Sequence, residues 1–278
     1  VAIYLGVTLA LSFSFEAWMI LSAGGLAALG GLSPMVLMWI PGLCSLGVRL
    51  AGGEGFQDVG WRAGPWRYWA LAFSVPAVCA GFTYLASWLG GFVVFGPKSS
   101  LAIASPHLRW LVAAAINAVL GTLIGGVAAL GEELGWRSYL LPRWVQAELP
   151  APVIATGAIW GLWHLPIILW GDYATSSRPI VSALLFLVVI TLSTAFFSWV
   201  RLAGGSVWTA TLAHASHNAF YQGVFDRHFH GPLEPYVAGE QGLFSIVAYA
   251  AVALWLWRTG RLRRALDEPV FFAQKKTG

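Results

Sequence analysis

Residues 179–201 read PIVSALLFLVVITLSTAFFSWVR, and only the last position is charged. A run of about 20 apolar residues is what an α-helix needs to cross the hydrocarbon core of a bilayer. Backbone polar groups find no water there, so the run is read as a helix that pairs them internally. Seven further segments have the same character, near 1–22, 33–51, 67–92, 108–141, 150–171, 206–223 and 241–258. Loop punctuation separates them: Gly52-Gly53-Glu54-Gly55, Gly96-Pro97-Lys98-Ser99-Ser100 and Gly231-Pro232-Leu233-Glu234-Pro235. The expected fold is all-α, a polytopic transmembrane helical bundle of about eight spans. It forms a single integral membrane domain over 1–278, with no internal repeat.

Composition agrees. The chain has 278 residues, 58% hydrophobic and 10% charged, whereas soluble domains are about one quarter charged. Its 16 Trp and 32 Gly suit membrane interfaces and closely packed membrane helices. Cys44 and Cys79 form neither a metal motif nor a disulfide framework. The net charge of +4 makes no folded basic patch, so nucleic acid is excluded as a partner. Six of the sixteen basic residues lie in the C-terminal tail: Arg258, Arg261, Arg263, Arg264, Lys275 and Lys276. With eight spans, twelve basic residues fall on the side of the termini and four on the other. Positive residues favour the cytoplasm, so both termini and the site entrance are expected to face it, in a cell membrane of bacterial type. No basic segment precedes the first apolar run, so no cleavable signal peptide is expected.

Ionisable side chains inside spans are costly and mark function by default. Here they concentrate in Gly131-Glu132-Glu133-Leu134-Gly135-Trp136-Arg137, Trp160-Gly161-Leu162-Trp163-His164-Leu165-Pro166 and His214-Ala215-Ser216-His217-Asn218. If Pro142 ends the fourth helix, Glu132 lies about 14 Å from the basic side, with His214 at about 12 Å and His164 at about 18 Å. Three helices then bring acid and imidazole to similar depth. Glu133 and Arg137 have the favourable i,i+4 order for an ion pair, with Arg137 near enough to the basic end to snorkel. His214 and Asn218 share a face, and His217 points elsewhere. Pro166 is expected to kink the fifth helix beside His164. Glu16 reads as a packing or snorkelling residue. His107, His228 and His230 read as solvated, and the Trp residues as anchors and packing.

At these residues the sequence resembles the CPBP family of intramembrane proteases, which includes type II CAAX prenyl endopeptidases and bacteriocin self-immunity proteins. The family pattern is E-E-x-x-x-R, F-x-x-x-H and H-x-x-x-N. Glu132, Glu133 and Arg137 match the first motif, His164 the second, and His214 with Asn218 the third. The likeness covers about 108–223, the expected catalytic core. Two positions depart from the pattern: Trp160 replaces the usual Phe, and Ser138 the usual Gly. The resemblance implies an intramembrane endopeptidase in which Glu132 is the base and His164 holds the water. His214 and Asn218 would donate to the oxyanion, while Glu133 and Arg137 support them. The implied substrate is a membrane-associated peptide or protein, lipid-modified in one branch of the family. No cofactor is favoured. Zinc held by Glu132, His164 and His214 is the alternative, and Asn is a poor zinc ligand but a good oxyanion donor. Two other readings remain: a non-enzymatic immunity or scaffold protein that binds through the same pocket, and a proton-relaying transporter. The sequence names neither the substrate nor the oligomeric state.

Overall fold

The computed structural model describes residues 1–22, 24–96, 98, 101, 103–174 and 176–269. Lys275, Lys276, Pro97, Ser99 and Ser100 lie outside the described residues. Among the described residues the chain is all-α apart from one antiparallel pairing of two short strands distant in sequence. All eight apolar segments are helical: α1 (Ala2–Leu21), α2 (Ser33–Ala51), α3 (Trp66–Leu89), α4 (Pro106–Gln146), α5 (Pro152–Trp163) followed by α6 (Leu165–Leu169), α7 (Pro179–Gly204), α8 (Val207–Asn218) and, after the short α9 (Glu234–Val237), α10 (Leu243–Arg258). A last helix, α11 (Arg261–Asp267), is bent 64° from α10. Among the described residues, five helices are long and apolar enough to cross a membrane, or six if α10 and α11 form one bent span. The other segments fall short of the expected eight spans for local reasons. The chain turns at His164 and restarts with Pro166 in the first turn of α6, which is the break expected beside Pro166. Polar α8 continues only as the π-helical stretch Ala219–Phe225.

Pro142 does not end α4. A π-helical turn, Trp136–Leu140, precedes it and the helix runs on to Gln146. Proline has no N–H to return to the preceding turn. The Ser138 carbonyl accepts a hydrogen bond from Arg49 Nη2 at 2.9 Å instead. The Ser138 hydroxyl faces Arg201 Nε at 3.4 Å, so the Ser in place of the usual Gly adds a polar contact between α4 and α7.

Close backbone approach sets where the acidic motif sits. A Cβ on Gly131 would lie 2.6 Å from the Met38 carbonyl oxygen, and one on Gly42 would lie 2.5 Å from the Gly131 carbonyl oxygen. Only glycine fits such a contact, so α2 and α4 touch directly at the residue before Glu132.

The two ends of the bundle differ. At one end Arg49 Nη1 donates to the Gly55 carbonyl and to Asp58, both at 2.7 Å. Arg143 pairs with Glu54 and Asp58, and Arg201 Nη2 donates to the carbonyls of Asp58 and Val59 at 2.6 and 3.0 Å. The loop 52–65 is thereby pinned across this end. The N-terminal turn of α1 belongs to the same end, since Tyr4 packs on Tyr139 at 4.7 Å. At the other end, Leu26 N–H faces Asp172, Tyr173 reaches Glu240, and β1 (Val94–Phe95) pairs antiparallel with β2 (Phe229–His230). From there α10 runs 16 residues back to Arg258, about 24 Å at 1.5 Å per residue.

Asp58 is the common anion of the pinned end. Burial works against its charge, but the hydrogen bonds and charges of Arg49 and Arg143 outweigh burial and hold its carboxyl below the usual range. A lowered carboxyl contributes stability above its unfolded pKa, and that contribution is lost as pH falls through the folded value. Asp58→Asn should therefore lower Tm at pH 7, and the gap to the parent chain should close below about pH 4. Thermal melts in detergent across this range measure it. A gap that stays constant to pH 3 would contradict the account.

Candidate active site

Glu132 and Glu133 are adjacent on α4 and point to different partners. Glu133 Oε1 accepts from Arg137 Nη1 at 3.0 Å and from His214 Nδ1 at 2.9 Å. The expected i,i+4 pair is present, and it also crosses to α8. Arg137 does not snorkel. It is 1% exposed, its Nη2 donates to Thr194 on α7 at 3.1 Å, and its guanidinium lies 4.0 Å from the Trp160 ring centroid. That stacking explains what a large indole does at this position.

Trp160 does more than fill space. Its Nε1–H donates to Glu132 Oε2, and Trp136 Nε1–H donates to the same oxygen at 3.3 Å. Glu132 is 1% exposed. A buried carboxylate needs hydrogen bonds, and two indoles supply them on one oxygen. A Phe at 160 would have no donor. His164 Nδ1 lies 2.9 Å from the Trp160 carbonyl. A carbonyl only accepts, so Nδ1 carries the proton and Nε2 of the neutral ring is left as an acceptor. The same logic at His214 puts a proton on Nδ1 facing Glu133.

One cavity of about 110 Å³ is lined by Glu132, Trp160, His164, His214, Asn218 and Glu240, among others. The four sequence-predicted site residues thus meet at a single space, and Glu133 and Arg137 brace it from behind. A second chamber of about 380 Å³ adjoins it, sharing Tyr173, Gln222 and Glu240. This chamber lies at the bundle end where Asp172, Asp226 and Glu240 gather, opposite the Arg-pinned end that holds the first turn of α1 and the last of α10. The chamber and the first turn of α1 therefore lie at opposite ends of the bundle.

His217 points elsewhere, as expected, while the readings of Glu16 and His228 change. His217 does not line the cavity; its Nδ1 meets Tyr249 at 2.7 Å and its Nε2 meets Glu240 at 3.0 Å. Glu16 is fully buried with no hydrogen-bond partner for either oxygen. His228 is buried and its Nδ1 accepts from Lys98 N–H at 2.9 Å. Glu240, Tyr173 and Gln222 were missed. Gln222 continues the four-residue spacing of His214 and Asn218 and was readable. Glu240 and Tyr173 lie in loops and only the tertiary fold brings them here. Among the described residues, no three His, Cys, Asp or Glu side chains are grouped to hold one metal ion. That includes Glu132, His164 and His214, and Glu132 already spends one oxygen on indoles.

Residues 113–220 match the family model described as type II CAAX prenyl endopeptidase Rce1-like. The matched segment carries all three motifs and stops before Gln222 and Glu240. No curated protein matches the chain.

Removing one partner of a buried ion pair strands the other, at a typical cost of about 3–5 kcal/mol, while replacing both can be near neutral. Glu133→Gln and Arg137→Met should each lower Tm and folded yield, and the double change should recover part of the loss. A double-mutant cycle of thermal stability in detergent measures the coupling. Additive losses would show that the two side chains act independently.

Proposed function

Since the core of this chain belongs to the type II CAAX prenyl endopeptidase Rce1-like family, we propose that it hydrolyses a peptide bond of a membrane-associated peptide or protein within the 110 Å³ cavity. The observation that carries this reading is the meeting of Glu132, His164, His214 and Asn218 at one largely buried space. Peptide hydrolysis needs an activated water, a stabilised oxyanion and a proton for the leaving amine.

Glu132 is the general base. Its Oε2 is fixed by two indole donors, which leaves Oε1 to take a proton from water. His164 presents an unprotonated Nε2 toward the same space and holds that water by accepting its second hydrogen. Attack generates an oxyanion at the carbonyl. Asn218 donates to it through its amide. His214 can donate from Nε2 only as an imidazolium, because Nδ1–H already faces Glu133. The Glu133 carboxylate supplies the counter-charge for that state. The proton gathered by Glu132 then passes to the departing amine. No step in this reading requires a metal.

Glu132→Gln should abolish cleavage of a membrane peptide by the purified chain while leaving its Tm close to that of the parent. Near-normal cleavage by this variant would end the assignment. A binding-only protein would instead be indifferent to it. Trp160→Phe keeps an aromatic ring under Arg137 but removes a donor from Glu132. It should lower kcat by roughly tenfold to a hundredfold with little change in KM, the signature of a misplaced catalytic group. A kcat unchanged by Trp160→Phe would show that the indole N–H does not position the base.

A further inference from the structure

The larger chamber outside the proposed catalytic cavity has its own chemistry. Its walls include Asp172, Asp226, Glu234 and Glu240, against one cation, Arg227. Acidic residues alone do not make a site, and two further observations point to a ligand. First, Gln241 lines the chamber, is only 7% exposed, and its side-chain amide hydrogen-bonds to no protein group among the described residues. A buried amide facing a cavity is a costly arrangement unless something binds there.

Second, Glu240 is incompletely satisfied. Its Oε1 accepts from His217 Nε2 at 3.0 Å, and its Oε2 accepts from Tyr173 Oη at 2.8 Å and Gln222 Nε2 at 3.0 Å. A carboxylate offers about four acceptor positions, so one remains on Oε1. Burial opposes the charge, yet the hydrogen bond and charge interaction with His217, with the Gln222 and Tyr173 hydrogen bonds, outweigh burial and hold the carboxyl down at about 2. His217 Nε2 thus meets Glu240 while its Nδ1 meets Tyr249 Oη at 2.7 Å. Glu240 also lines both cavities, so its open position sits where one passes into the other.

Asp226 accepts from Tyr84 Oη at 3.0 Å. Burial and the adjacent Asp226 carboxylate push Glu234 up to about 8. The chamber stays negative even so, since Asp172, Asp226 and Glu240 outnumber Arg227.

We propose that this chamber is a cation subsite that receives a lysine or arginine side chain on the flank of the peptide substrate, with Glu240 and Asp226 as counter-charges and Gln241 as a neutral hydrogen-bonding partner. Calling the ligand part of the substrate rests on the endopeptidase reading; the binding does not. The chamber shares a wall with the catalytic cavity, so the basic side chain would anchor a peptide whose scissile bond lies beyond Glu240. Charge-assisted hydrogen bonds to a desolvated carboxylate are the strong kind, and an acidic flank would meet repulsion.

The test uses the full chain in detergent and fluorescein-labelled tetralysine, tetraglutamine and tetraglutamate peptides, read by fluorescence anisotropy. Tetralysine should bind, more weakly as salt rises, and the other two should not. Glu240→Gln and Asp226→Asn should each weaken tetralysine binding by about tenfold or more. Gln241→Leu, which keeps every charge, should weaken it as well and serves if a charge variant fails to fold. Glu132→Gln leaves the chamber intact and should bind tetralysine like the parent chain. Equal binding of tetralysine and tetraglutamate would overturn the proposal. So would unchanged tetralysine binding by folded Glu240→Gln or Gln241→Leu. Cleavage that survives Glu132→Gln would sink the catalytic assignment while leaving the tetralysine result standing, so the two failures are distinguishable.

Discussion

Glu133 Oε1 accepts from Arg137 on its own helix and from His214 on α8. Most of the site hangs on this one buried oxygen. Arg137, held by it, lies against Trp160 of α5, and Trp160 in turn donates to Glu132. The chain of contacts therefore runs from Glu133 through Arg137 and Trp160 back to the neighbouring acid. In a low-dielectric bundle none of these groups has water to fall back on, so each is fixed by the next. The supporting acid and the proposed base are adjacent in sequence, yet their carboxylates answer to different elements, because consecutive helical residues point about 100° apart.

Packing prepares that arrangement before any charge is considered. Gly42 and Gly131 let α2 and α4 meet backbone to backbone, which sets the depth of the acidic motif. The π-helical turn at Trp136–Leu140 then lets α4 pass Pro142 and keeps Arg137 facing inward. At the pinned end, three arginines gather on the loop around Asp58.

The helices, the three motifs and their convergence were legible in the sequence. Apolar length fixes the helices, and ionisable residues inside them have few places to go except toward each other. The four-residue spacings placed Glu133 with Arg137 and His214 with Asn218 correctly. What the sequence concealed depended on contacts between distant residues. Trp160 reads as an aromatic substitution until its indole N–H is seen against Glu132. Ser138 reads as a packing change until Arg49 and Arg201 are seen on it. Glu240 sits in a loop with no periodic pattern, and nothing local announces that it faces the cavity.

The central claim is that water, activated beside Glu132, breaks a peptide bond at this site without a covalent enzyme intermediate. The most direct measurement is mass spectrometry of products formed by the purified chain from membrane-anchored peptides in heavy-oxygen water. The account predicts new C-termini that carry one heavy oxygen from the first turnover, with no peptide ever found attached to the protein. A folded chain that generates no new C-termini, or one that accumulates a peptide joined to one of its own side chains, would contradict it.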